Sequence, residues 1–198
     1  MPYDRFLRAC EQTGYRIQVL QRRFGAGFEQ VAHRLTTLQR VGARGLPFFM
    51  LRIDRSGLLS KRFAGASNAP LVESTYRCPL WNIHRAFERR SEVQPQLLAL
   101  EDGSTWFTLA RSVQGIGSGA GGYTPEFVIA LGVSADLASP LFHASGVDLS
   151  KESAVPIGLG CPACTRPQCS QRSAPPKARA LKFDERERGL TPYNFASD

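Results

Sequence analysis

The stretch LPFFMLRIDRSGLLSKRF, Leu46 to Phe63, is where the chain changes period. Phe49, Leu51 and Ile53 alternate with Met50, Arg52 and Asp54, the two-residue repeat of a half-buried strand. Asp54-Arg55-Ser56-Gly57 then supplies turn chemistry, and Leu59 to Phe63 returns as a second strand. The stretch therefore predicts a β-hairpin.

Upstream of it the spacing is helical. Phe6, Leu7 and Cys10 fall on one face of YDRFLRACEQ, with Gly14 as a stop. Ile17, Leu20 and Phe24 do the same in RIQVLQRRF, ended by Gly25 and Gly27, and Phe28, Val31, Leu35 and Leu38 form a third apolar stripe before Gly42. Three short helices are expected in the first 42 residues. Downstream, LVESTYRCPLWNIHRAFERR suits a short helix, with Pro79 near its first turn. QPQLLALEDGSTWFTLARSVQG is a second hairpin, turning at Asp102-Gly103. Gly115 to Tyr123 holds a G-x-G-x-G pattern, but the strand-like PEFVIALGV follows it where a phosphate cradle needs a helix. It reads as a flexible connection. PLFHASGVDL suggests a further short strand and turn. The fold class is α+β: N-terminal short helices, then an antiparallel sheet of about five strands with an inserted helix, closed by a C-terminal cysteine-rich metal-binding segment. Residues 1–155 would form the main region, and 156–198 would pack back on it.

The chain has 198 residues, enough for one domain or one domain with a small appendage. Hydrophobic residues make up 42% of it, which supports a real core. No apolar run approaches the roughly 20 residues that span a bilayer, and MPYDRFLRACEQTGYR carries charges where a signal peptide needs an apolar stretch. A cytoplasmic, reducing setting is expected, with no membrane contact, so the cysteines point to metal or redox chemistry rather than to disulfides. The net charge is +8. Lysine occurs at only four positions, 61, 151, 177 and 182, against 21 arginines, and the basic residues are spread along the chain. This suits anionic ligands, phosphorylated small molecules included, better than a dedicated nucleic-acid groove.

Three of the five cysteines lie in PIGLGCPACTRPQCSQR: Cys161, Cys164 and Cys169, spaced C-x2-C-x4-C. Zinc sites and iron–sulfur clusters commonly take four protein ligands. Cys78, Cys10, His33, His84 and His143 are candidates for the fourth. Cys78 is favoured, because the following Pro79 stiffens a loop, whereas Cys10 shares a helix face with Phe6 and reads as a core thiol. Four thiolates suit zinc and [4Fe–4S] equally by ligand type. Three clustered cysteines with one remote favour the cluster over the paired C-x2-C knuckles of structural zinc.

Several stretches resemble the C-terminal half of the short-chain fatty acyl transcriptional regulators: MPYDRFLRA, FEQVAHRLTTLQRVGARGLPFFMLRIDRSGLLSKR, CPLWNIHRAF, PIGLGCPACTRPQCSQRSAPP and RGLTPYNF. They occur in the family's order and cover most of the chain. The resemblance implies sensing of short-chain acyl-CoA or coenzyme A and an iron–sulfur cluster held by cysteines. It also implies DNA contact through a helix-turn-helix, which is absent from this chain. Members often carry a further cysteine after the ALG strand; Val133 stands there, which strengthens Cys78 as a ligand beside Cys161, Cys164 and Cys169. No H-E-x-x-H occurs, so zinc peptidase chemistry is not supported.

A coenzyme A site needs cations for phosphates and an apolar slot for the acyl chain. Arg40, Arg52, Lys61 and Arg62 lie on or beside the first hairpin, with PFFML adjacent and Phe49 the candidate apolar contact. The expected site lies between the N-terminal helices and that hairpin, where the same cations would otherwise serve as a solvated strand edge. An enzyme would need a nucleophile, base and orienter, and no motif brings Ser60, His33, His84 and His143 together. A non-enzymatic regulatory domain is the reading, with a structural zinc-binding interaction protein as the alternative; a homo-oligomer is compatible with either.

Overall fold

The computed structural model describes residues 1–115, 117, 122, 124–182, 186 and 193–195. Three helices open the chain. Helix α1 (Tyr3–Gln12) buries Phe6, Leu7, Ala9 and Cys10, and the Thr13 hydroxyl donates to the Ala9 carbonyl at 2.7 Å to close its end. Helix α2 (Ile17–Phe24) stops at Gly25, which adopts the left-handed conformation. Helix α3 (Phe28–Thr36) begins where the Gln30 side chain accepts the Gly27 N–H at 2.9 Å, satisfying one of the orphan donors of a helix start. It ends at Thr36, six residues before Gly42. The hydroxyls of Thr36 and Thr37 donate to the carbonyls of His33 and Arg34 and close the last turn. The chain then makes a two-stranded ribbon, β1 (Gln39–Arg40) with β2 (Ala43–Arg44).

The predicted hairpin follows as β3 (Phe49–Ile53) and β4 (Leu59–Phe63). Asp54 organises its turn: one carboxylate oxygen accepts the backbone N–H of Ser56 and of Leu58 at 3.0 and 2.9 Å. Beyond it lie the short helix α4 (Pro70–Glu73), β5 (Gln94–Ala99), β6 (Thr105–Gln114), β7 (Glu126–Ser134) and β8 (Val155–Pro156). The sheet order is β4-β3-β7-β6-β5-β8.

This corrects the expected sheet of about five antiparallel strands. Six strands form it, and the sheet is mixed, because β8 runs parallel to β5. β8 is short and carries Pro156, which has no N–H to donate, so only the sheet edge can take it. The Ile157 N–H prolongs the pairing by donating to the Ala99 carbonyl at 3.0 Å. The expected inserted helix is reduced to α4 and a single 3-10 turn, Arg85–Phe87. Asn82 interrupts any longer helix, since its N–H and side-chain amide bond instead to Gln96 and to the Gln94 carbonyl. PLFHASGVDL forms a 3-10 turn at Phe142–Ala144 where a strand was expected. Most of the glycine loop at 115–123 lies outside the described residues.

The sheet separates two cores. On one face α1, α2 and α3 pack over Phe48, Met50, Phe107, Leu109, Ile129 and Leu131. On the other, the segment from Ala69 to Phe87 packs Trp81, Ile83 and Cys78 against Phe49, Leu51, Ile53 and Leu98. Among the described residues, no helix is long and apolar enough to cross a membrane.

Candidate functional site

Alternation along β3 decides which side chains meet which face. Phe49, Leu51 and Ile53 enter the core around Trp81, while Phe48 and Met50 join the helical side. Arg52 follows the phase of Met50 and so emerges beneath α3. Lys61 is its direct cross-strand partner on β4 and shares that face.

There the structure opens a cavity of about 710 Å³, lined by Phe28, Glu29, His33, Met50, Arg52, Lys61 and Phe63 among others. It lies between the third helix and the first hairpin. Glu29 Oε1 is 3.2 Å from Arg52 Nη1 and 2.5 Å from Lys61 Nζ. Burial pushes the Glu29 carboxyl up, but the Lys61 hydrogen bond and the Arg52 charge outweigh it, and the group lies below the usual carboxylate range. Arg52 is further fixed by Ser60, which accepts from its Nε at 2.8 Å, and by the Phe127 ring, 4.4 Å beneath the guanidinium. The His33 ring lies against Phe63 with centroids 4.2 Å apart.

The other three ligand candidates are elsewhere. Arg40 stacks on Tyr3 at 4.1 Å and pairs with Asp4 at 3.4 Å. Arg62 follows Lys61 on the strand, so it points to the opposite face and reaches Glu73 at 3.9 Å. Phe49 is packed against Trp106 in the second core, with centroids 5.8 Å apart. Its place facing the cavity is taken by Met50 because the strand's phase is the reverse of the one that Phe49 required. Two polar residues at this face were missed from sequence. Glu29 is one. The other is Arg111, which lines an adjoining hollow of about 290 Å³ that shares Phe28, Val113 and Gln114 with the larger cavity. Arg111 donates to Gln21 at 3.1 Å, and its buried Nε has no hydrogen-bond partner.

The cysteines lie with the second core. Cys78 begins the turn that carries Trp81, and the segment after β8 returns past it. Gly160 has φ +98 and lies so close to Tyr76 that any Cβ there would collide with the Tyr76 side chain. Gly158 is as confined, since a Cβ on it would stand 2.5 Å from Cys164 Sγ. The Gly160 contact brings the two cysteine loops together, while the Gly158 contact folds the second loop on itself. Burial pushes the Cys78 thiol up, the neighbouring Cys161 and Cys169 push it the same way, and hydrogen bonds to the Gly158 and Leu80 backbone oppose them. Cys164 instead faces Glu101 and Arg172; burial and Glu101 raise its thiol, and the Arg166 backbone and Arg172 lower it. All five cysteines are free. Cys10 is fully buried under α1, and burial pushes its thiol up to about 12.

Arg172 ties the thiol segment together. Only 6% of it is exposed. Its guanidinium donates to the carbonyls of Cys161, Cys164 and Arg166 at 3.3, 3.2 and 2.8 Å and lies 4.9 Å from the Phe195 ring centroid. The Ser173 N–H donates to Cys161 Sγ at 3.4 Å. Arg172 Nη2 also lies 3.9 Å from Cys164 Sγ, so a cation and an N–H are turned toward sulfur, as the surroundings of a bound thiolate would be. Among the described residues, however, no three His, Cys, Asp or Glu side chains are gathered closely enough to hold a metal ion. His84 lies next to Cys78 and bonds to its backbone, with its imidazole pushed down by burial and then by Arg77.

Comparison with known proteins places this architecture. Residues 37–193 match the family model described as short-chain fatty acyl coenzyme A regulator, C-terminal. The propionyl-CoA carboxylase regulator of Cereibacter sphaeroides is 42% identical over 195 residues, which are 98% of this chain and 42% of that protein. The HTH-type transcriptional regulator PrpR of Mycobacterium tuberculosis is 40% identical over 196 residues, 98% of this chain and 40% of that protein. A solved Mycobacterium tuberculosis transcriptional regulator superposes with a TM-score of 0.92 at 38% identity, covering 98% of this chain and 59% of that one. The chain thus spans about two fifths of the length of the curated relatives it matches. With a family match over most of its length and the same fold in a solved relative, the chain belongs to the short-chain fatty acyl coenzyme A regulator family.

Proposed function

We propose that this chain is the ligand-sensing part of a transcriptional regulator and that it binds a short-chain acyl-CoA or coenzyme A in the cavity between α3 and the β3–β4 hairpin. The observation that carries this reading is the pairing of Arg52 and Lys61 on one wall of a cavity of about 710 Å³. Two cations on adjacent paired strands match a diphosphate, and Phe28, Met50 and Phe63 supply apolar wall for the acyl end. Arg111, which lines the adjoining hollow, offers a third cation for phosphate. The relatives, a propionyl-CoA carboxylase regulator and an HTH-type transcriptional regulator, agree with acyl-CoA metabolism and with regulation of transcription. DNA contact is assigned to a helix-turn-helix outside these residues.

Calorimetry with coenzyme A and propionyl-CoA tests the pocket. Replacing Arg52 and Lys61 together with methionine should weaken binding by about 2–4 kcal/mol, since each removes a charge-assisted hydrogen bond. Unchanged affinity in a folded double variant would move the site elsewhere.

For the thiols, the proposal is that Cys78, Cys161, Cys164 and Cys169 hold a [4Fe–4S] cluster. Support comes from the meeting of the two loops and from the N–H groups and the Arg172 guanidinium turned toward sulfur. Such a group would supply a redox-active or structural anchor for the segment. Visible absorption of anaerobically purified protein separates it from zinc, which the same donors would accept: a broad band at about 400 nm favours the cluster, and a colourless protein containing zinc overturns it.

A further inference from the structure

Glu29 occupies the two cations that the cavity offers to a ligand. It is bonded to both nitrogens of interest, Arg52 Nη1 and Lys61 Nζ, through the same carboxylate oxygen. It projects from the first turn of α3, while its partners stand on paired strands, so the contact spans helix and sheet across the cavity. Among the described residues no other carboxylate pairs with Arg52 or Lys61. His33, one turn further along the same helix, lines the cavity with its ring against Phe63 and makes no ion pair with Glu29 among the described residues.

A carboxylate tethered in this way acts at an effective concentration of millimolar or more. A free short-chain carboxylate has the same charge and the same acceptor geometry, so it gains nothing by exchange and must compete against that concentration. A diphosphate differs in kind. It carries more charge and more acceptor oxygens, and it can bridge both cations while the carboxylate turns outward. We infer that Glu29 is a selectivity residue: an internal counter-anion that closes the cavity to free short-chain carboxylates and yields only to a ligand bearing a polyphosphate. The inference rests on the acyl-CoA reading of this cavity and adds the reason that the acid alone would not be sensed.

Titration calorimetry on the full chain tests it, comparing the natural protein with Glu29→Gln and using three probes: coenzyme A, inorganic pyrophosphate and sodium propionate. The natural protein should bind coenzyme A and show no heat with millimolar propionate. Glu29→Gln should bind coenzyme A and pyrophosphate about tenfold more tightly, because the binding-competent state no longer has to be freed from its internal partner, and should gain measurable propionate binding. Glu29→Ala should reproduce the gain, showing that it follows the lost charge. Unchanged or weaker binding of both phosphate probes to Glu29→Gln, with circular dichroism intact, overturns the inference. If neither protein binds coenzyme A but Glu29→Gln gains pyrophosphate, the counter-anion role stands and the acyl-CoA reading falls. If both bind coenzyme A equally, the opposite holds.

Discussion

Replacing Arg172 with methionine probes how the cysteine segment is held. Arg172 is 6% exposed, and its guanidinium donates to three carbonyls, those of Cys161, Cys164 and Arg166. Hydrogen bonds from a charged group are worth about 1.5–3 kcal/mol each, and the two longer ones, at 3.2 and 3.3 Å, belong at the low end. If they were independent, their loss would come to about 5 kcal/mol, already net of the exchange with water. Three bonds held by one guanidinium are not additive, and the apolar methionine stem keeps part of the packing, so a loss of about 2 kcal/mol is expected. With a urea dependence of about 2 kcal/mol/M, the unfolding midpoint should fall by about 1 M at unchanged slope. Arg172→Lys should recover less than half, because a point charge cannot reach three carbonyls from one place. A midpoint within about 0.2 M of the natural protein would refute the reasoning, and an increase would show that the desolvation of the guanidinium outweighs its bonds.

Further outcomes can be measured separately. Cys78→Ser should lose bound metal on anaerobic purification while Cys10→Ser keeps it, as read by metal analysis; the reverse would move the ligand set. Gly160→Ala should lower stability by about 2 kcal/mol or more in urea titration, since φ +98 and the Tyr76 side chain both oppose a Cβ. The Glu29 carboxyl is depressed in the folded chain, so its contribution is present above its unfolded value and is lost as pH falls through the lower folded value. The melting-temperature gap between the natural protein and Glu29→Gln should therefore be full at neutral pH and should close below about pH 4; a gap that widens in acid would contradict the pairing.

The sequence was most legible where the chemistry is local. Asp54 to Gly57 and Asp102-Gly103 carry their turn chemistry within a few residues, and both hairpins stand where the spacing placed them. The period-two pattern of β3 was equally plain, but its phase was not. Phe49 and Met50 are both apolar, and only the arrangement of helices around the sheet decides which of them faces the cavity. Lys61 and Arg62 illustrate the same limit, since adjacent cations on a strand must part company. Glu29 gave no signal, because its partners lie 23 and 32 residues away and no short motif encodes them. The Cys-Pro step drew attention to Cys78, whose thiol does feel Cys161 and Cys169, but among the described residues no three such side chains gather closely enough to hold a metal ion. The turn of Cys164 toward Glu101 was not legible, since that contact joins segments more than 60 residues apart, as does the neighbouring Thr165 bond. β8 was hidden by its length: a two-residue strand leaves no periodicity to read.

The two cores give the amide hydrogens a graded exposure. Along β6 and β7 the strand is buried on both faces for most of its length, whereas β4 runs as an outer strand with its three central residues exposed. Deuterium should therefore enter β4 early and the centre of the sheet last, through global rather than local opening. The cavity and the thiol loops also lie under opposite faces, so each is reported by a different set of amides. Slowed exchange confined to β4 and α3 registers occupancy of the cavity; slowed exchange around Cys78 and after β8 registers order in the thiol segment. One exchange experiment on a single protein can therefore follow the two events independently, against a central sheet that serves as the internal clock.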